Sequence, residues 1–201
     1  MTRQLALPIL RPPEPTLDNF VAGANAELLA RLRALAAGHA GEAVIYLWGM
    51  PGSGRSHLLR ACAGAGIVIA DDVQHMDDAA QQALFNSINH ARDLGGTVLA
   101  AGNAPPARLA LREDVRSRLV WGLVYEVKPL TDEERAAYLR AEAERRGLRL
   151  AEDVVGYLLR HVRRDMPTLG AILEHLDRTS LEQQRAVTLP LARAALKSMA
   201  P

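Results

Sequence analysis

The chain has 201 residues, 24 Lys+Arg against 23 Asp+Glu, 49% hydrophobic residues and one cysteine. That length suits one domain or a core with a small appendage, and a half-apolar composition excludes a disordered chain, which lacks the apolar area to offset the entropy of ordering. A formal net charge of +1 leaves no global field to hold nucleic acid.

Residues 1 to about 19 contain Pro8, Pro12, Pro13 and Pro15, which predicts an extended tail. Its apolar stretch is too short and too broken by proline for a signal peptide. No later run approaches the roughly 18 apolar residues that cross a bilayer, so a cytoplasmic protein away from membranes is expected. Leu28, Leu29, Leu32 and Leu35 fall at helical spacing, and Gly38 closes a helix over 26–37. Val44 to Trp48 reads as a strand running into a glycine loop, followed by a helix from Ser56 to Ala63. Cys62, inside that helix, reads as a small buried hydrophobe in a reducing compartment.

Ile67 to Ala70 is continuously apolar, as in a strand covered on both faces, and ends abruptly in Asp71-Asp72. Asp78 and Gln81 have the spacing of a capping box for a helix to about Asp93, which Gly95-Gly96 stops. Thr97 to Ala101 is a third strand and Val124 to Val127 a fourth, after a helix from Arg112 to Leu119. Strands alternating with helices predict an α/β fold with a parallel sheet covered on both sides.

After Pro129 the pattern is helical only. Thr131 and Glu134 make a capping box for a helix that Gly147 ends. Helices over 152–162 and 167–183 follow, then a short one after Thr188 with Pro190 in its first turn. The expected organisation is a tail at 1–19, an α/β core at 20–129 and a helical lid at 130–201.

Gly49-Met50-Pro51-Gly52-Ser53-Gly54-Arg55-Ser56 matches G-x-x-x-x-G-K-[ST] with arginine at the lysine position. Glycines at this spacing let consecutive backbone N–H groups turn inward around phosphate oxygens, with a helix end beside them. Arg55 would meet the β and γ phosphates as a planar fork, and Ser56 would ligate Mg²⁺. Asp71 supplies a carboxylate for the metal's water shell, and Asp72 one that orients water for attack. Asn103, after the third strand, offers an amide to the γ-phosphate, although Asn before Ala104-Pro105-Pro106 is equally a turn residue. Asp77 and Asp78 read as a helix cap and His75 as a loop residue, rather than as members of a metal cluster with Asp71 and Asp72. In Asp114 to Leu119, Val115 and Leu119 face inward and Arg118 outward, either as a solvated helix end or as an arginine finger for a neighbouring subunit.

These features resemble the AAA+ ATPases, and within them the DnaA initiators and the Hda family of DnaA regulators. Leu17 to Asn25 looks like the N-terminal box beside the adenine, Ser117 to Gly122 the finger segment, and Leu173 to Ser180 part of the lid. Arg55 followed by Ser56-His57-Leu58-Leu59 is the Hda form of the loop. The resemblance implies adenine nucleotide, ADP or ATP with Mg²⁺, held by Val21, Pro51, Gly52, Ser53, Gly54, Arg55, Ser56, His57 and Asn103, with Ser56 and Asp71 toward the metal. It implies Arg118 as a finger acting in trans, with Asp72 as this chain's own base and only weak turnover. Gln4-Leu5-Ala6-Leu7-Pro8 looks like the family's peptide for the DNA sliding clamp, the β subunit of DNA polymerase III, with Gln4, Leu5, Leu7 and Pro8 as its contacts.

The function so implied is inactivation of DnaA: clamp docking and stimulated hydrolysis of DnaA-bound ATP, with homo-oligomerisation an open option. A helicase-loader-like ATPase and an adaptor without nucleotide binding are the alternatives. No helix-turn-helix follows the lid before Pro201, so sequence-specific DNA binding is not expected. Two departures stand out. Only one helix and one strand fit between Ser56 and Asp71, where the family has a further strand and helix, so a shortened sheet of four strands is expected. Pro167 stands where the family's nucleotide-sensing arginine usually lies and cannot reach a phosphate, which leaves Arg163 or Arg164 as substitutes.

Overall fold

The computed structural model of the chain describes residues 14–39, 41–64, 66–162 and 166–199, and over these the apolar runs become four parallel strands. They are β1 (Val44–Trp48), β2 (Ile67–Ala70), β3 (Thr97–Gly102) and β4 (Leu123–Glu126), in the order β2-β3-β1-β4. β1 is central: Val44 pairs with Val98 and Ile45 with both Leu99 and Leu123. Side chains alternate between faces along a strand, and both faces of β1 are covered. Ile45 and Leu47 meet Leu28 and Leu32 of α1 (Ala26–Ala36) and Leu58 and Leu59 of α2 (Arg55–Ala61). Val44 and Tyr46 meet Leu84 and Ile88 of α3 (Asp78–Leu94) and Val115 and Leu119 of α4 (Glu113–Leu119).

The first unit of the fold is Glu14–Pro129. Within it, three local expectations change. β2 is an edge strand, and Val68 is 47% exposed, so its unbroken apolar run is not covered on both faces. Rank in the sheet, which composition does not encode, decides this. The cap of α3 is Asp77, whose Oδ1 accepts from Ala80 N at 2.8 Å, rather than Asp78. Gln81 is buried and makes no capping box; it donates to Met76 O at 3.0 Å and accepts from Arg112 N at 2.9 Å, tying α3 to the start of α4. Residues 14–19 form a closed turn instead of continuing an extended tail. Thr16 N donates to Asn19 Oδ1 at 2.9 Å, Asn19 N donates to Thr16 Oγ1 at 3.1 Å, and Leu17 enters the core.

From Leu130 a second unit contains α5 (Asp132–Arg145), α6 (Glu152–His161), α7 (Met166–Gln183) and α8 (Leu189–Met199). The Thr131 capping box forms in both halves: Thr131 N donates to Glu134 Oε2 at 2.7 Å, and Glu134 N to Thr131 Oγ1 at 3.2 Å. Leu139, Leu158, Leu169, Leu173 and Leu176 make its core. Glu142 is forked by Arg145 and Arg146 at 2.7 and 2.8 Å, and their hydrogen bonds hold its carboxyl at about 2. Among the described residues no helix is long and apolar enough to cross a membrane.

Candidate functional site

Because all four strands are parallel, every loop at their C-terminal ends opens on one edge of the sheet, where ligands of open α/β sheets bind. The glycine loop leaves β1 there, Asp71-Asp72 leaves β2 and Asn103 leaves β3. With β3 lying between β2 and β1, Asn103 stands between the loop and the carboxylates.

Pro51 and Gly52 lie exposed at the loop's apex, and Arg55, Ser56 and His57 are half-buried in the first turn of α2. Gly54 caps α2 at φ 100°, a left-handed conformation that side chains rarely adopt, and a Cβ on it would stand 2.7 Å from Phe20 Cε2. Phe20 therefore brings the segment after Leu17 to the loop, and Val21, the next residue, is half-buried. The Phe20 and His57 rings lie 5.6 Å apart, and His57 Nε2 is 2.9 Å from Thr16 O. Ser53 Oγ is buried without a hydrogen-bond partner among the described residues. A buried orphan hydroxyl beside a turn of glycine N–H groups fits a polyphosphate, whose oxygens only accept.

Arg55 donates through Nη1 to the Gly102 carbonyl at the end of β3. A guanidinium has five N–H donors, so this bond leaves others for phosphate oxygens. Lysine has no such fork, and the loop and β3 are thereby tied together by the departure from the common motif. The oxygen donors Ser56 and Asp71 have the hard character that Mg²⁺ takes. Asp71 Oδ1 accepts from Asp72 N at 2.9 Å, and Asp72 adopts φ 47°, ψ 45°. This is a left-handed conformation that a non-glycine residue keeps only under constraint. His75, Asp77 and Asp78 do not join them: no three metal-ligating side chains come together among the described residues.

Arg118 is placed elsewhere. Its Nε donates to Asn89 Oδ1 at 3.0 Å and Nη1 to Asp114 O at 3.2 Å. Its guanidinium lies 3.9 Å from the Phe85 ring centroid and 4.7 Å from that of Trp121, which Arg92 also covers at 4.5 Å. It is half-buried on its own chain rather than directed freely outward. These partners lie on the α3/α4 face, opposite α2. Arg118 also leads through Trp121 into β4, whose first residue pairs with Ile45 at the start of β1. The cradle begins past the other end of β1, about 15 Å along a five-residue strand.

Gln4, Leu5, Leu7, Pro8, Arg163, Arg164 and the Pro167 side chain lie outside the described residues. Reading the sequence missed Gln74, Phe85 and Asn89. For the last two the signal was available, since 85 and 89 are one helical turn apart and share a face.

Residues 132–196 match the family model described as Hda, lid domain. Domain III of the Thermotoga maritima replication initiation protein DnaA is similar over 92% of this chain and 97% of its own, at 21% identity and a TM-score of 0.76. A replication initiator DnaA bound to AMPPCP and single-stranded DNA is similar at 18% identity and TM-score 0.72, over 88% of this chain and 69% of that one. A Thermotoga maritima RuvB mutant, P216G, follows at 15% and 0.69, over 94% and 73%. At these identities the likeness is one of fold.

Proposed function

Starting from an Hda-like chain with the AAA+ fold of DnaA, we propose that this protein restrains replication initiation by promoting hydrolysis of ATP bound to DnaA, while docked on the DNA sliding clamp. The observation that supports it best is the position of Arg118. Its guanidinium lies on the face of the sheet opposite α2 and at the opposite end of β1 from the glycine loop. It is thus too far to serve this chain's own nucleotide and is available to a neighbour's. Phe85, Asn89 and the Asp114 carbonyl hold it in one orientation, so little side-chain entropy is lost on insertion. A cation placed against the charge developing on a transferring phosphoryl group contributes about 10³ to 10⁵ in rate.

In this reading the chain's own cradle, Pro51 to His57 with Val21 and Asn103, holds ADP or ATP and serves assembly more than turnover. Ser56 and Asp71 would hold Mg²⁺, which would supply positive charge beside the phosphates, and Asp72 would orient water. Gln4, Leu5, Leu7 and Pro8 anchor the tail in the clamp, with the two leucines in an apolar pocket. In this reading the protein works in the cytoplasm.

The test is phosphate release from ATP-loaded DnaA mixed with clamp, DNA and this chain. Stimulation by the unaltered chain is expected to vanish in Arg118→Ala with nucleotide and clamp binding intact, and to fall in Leu5→Ala/Leu7→Ala. Full stimulation by Arg118→Ala removes the finger. Vigorous hydrolysis by the isolated chain, lost in Asp72→Ala, supports a self-sufficient loader-type ATPase instead.

A further inference from the structure

The carboxylate pair and Asn103 hang from different strands, and one side chain joins them. Gln74 lies in the short turn Val73–His75 after β2. Its Nε2 donates to Asp72 Oδ1 at 3.0 Å, and its Oε1 accepts from Asn103 N at 3.2 Å. His75 Nδ1 is 3.3 Å from the same Nε2. A side-chain amide carries a donor and an acceptor in one plane, which is the combination needed to connect a carboxylate to a backbone N–H.

Both ends of this connection need outside support. Asp72 is in the left-handed region, which a non-glycine residue keeps only under constraint from its surroundings. Asn103 is exposed in the loop after β3. Its neighbours are held from other elements: Gly102 O accepts from Arg55 of α2, and Ala104 O accepts from the Tyr46 hydroxyl of β1 at 2.8 Å. Three successive residues are therefore tied to three different elements, and the middle tie is the only one of the three that runs to a carboxylate of the site.

We propose that Gln74 is a positioning residue that fixes the Asp72 carboxylate relative to the Asn103 loop, so that discrimination between triphosphate and diphosphate nucleotide at this site runs through its amide. This rests on the reading of the glycine loop as a nucleotide cradle. Asp72 repels an added γ-phosphate unless water or metal stands between them, and Asn103 attracts it through its amide. The balance depends on their separation, which Gln74 holds. Losing the bridge uncouples the Asp72 carboxylate from the Asn103 loop, and the site's preference between the two nucleotides weakens while contacts to the α and β phosphates, made by the glycine loop, stay.

The test titrates AMPPCP and ADP, each with Mg²⁺, into the full chain by calorimetry and compares the ratio of their dissociation constants. Gln74→Met keeps length and bulk but neither hydrogen bond. It is expected to move the ratio at least fivefold toward unity while the ADP constant changes less than twofold. Gln74→Glu keeps the acceptor for Asn103 N and sets a second carboxylate against Asp72. It is expected to move the ratio by a similar factor and carries the comparison if the methionine variant melts early. A merely structural role would change both constants together and leave the ratio fixed, which overturns the proposal, as does an unaltered chain that binds both nucleotides equally. A flat titration for both nucleotides in the unaltered chain overturns the cradle itself, and this proposal with it.

Discussion

The hydroxyl of Tyr46 occupies the space in which a Cβ on Gly102 would stand, across the β1–β3 pairing. Tyr46 is fully buried, burial pushes its phenol well above the ordinary range, and the protonated hydroxyl donates to Ala104 O at 2.8 Å. Gly102→Ala forces a shift in a close-packed sheet and is expected to cost about 2 to 3 kcal/mol in urea unfolding. Tyr46→Phe gives up one hydrogen bond, about 1 kcal/mol. The double variant should be more stable than the sum of the two, since the smaller ring tip makes room. Simple additivity would falsify the clash.

Gly54→Ala tests the loop by a different route. The alanine must hold φ near 100° and displace Phe20, at a cost of about 1 to 2 kcal/mol for the left-handed backbone alone. ADP affinity should fall about tenfold or more, and Phe20→Leu added to it should restore only the steric part. Unchanged ADP binding in the single variant would show that the loop's shape does not matter to the ligand.

Acid should loosen the second unit through Glu142. Its folded value, about 2, lies below the ordinary 4.5 because Arg145 and Arg146 donate to it. A depressed carboxyl contributes stability above its unfolded value and loses it as pH falls toward the folded one. Thermal melts of the chain and of Glu142→Gln should differ at neutral pH and converge between about pH 4.5 and 2. A constant gap across that window would show that the fork contributes nothing.

Cys62 is 4% exposed, and burial pushes its thiol from 9.0 to about 11. Thiolate is the reactive form, so iodoacetamide at pH 8 should modify the native chain at least about a hundredfold more slowly than the urea-unfolded one. The raised value also means that this residue's contribution to stability is intact below pH 9.0 and is lost as pH climbs toward about 11. Rapid native labelling would contradict the burial.

The strands, the Thr131 box and the glycine loop were legible because each is written locally, as an apolar run, a four-residue pattern or a spacing of glycines. What was not legible is pairwise and distant. Nothing at Val68 says that β2 would have a neighbour on one side only, and nothing at Gln81 says that its amide would serve Arg112 rather than its own helix end. Asp77 and Asp78 are equally good caps by residue type, and only the path of the chain from β2 selects the first. The site was readable as separate motifs, while the ties between them, Arg55 to Gly102 and Gln74 to Asn103, depend on β3 lying between β1 and β2.

That strand order has a mechanical side. β1, which carries the glycine loop, is hydrogen-bonded along both flanks, whereas β2, which carries Asp71 and Asp72, has four residues and, among the described residues, a single neighbouring strand. Opening free energies are smallest where backbone bonding is sparse and solvent is near. The cradle is thus mounted on an interior rib of the sheet and the carboxylates on a more compliant edge rib, and amide protons of β2 should exchange with deuterium well before those of β1.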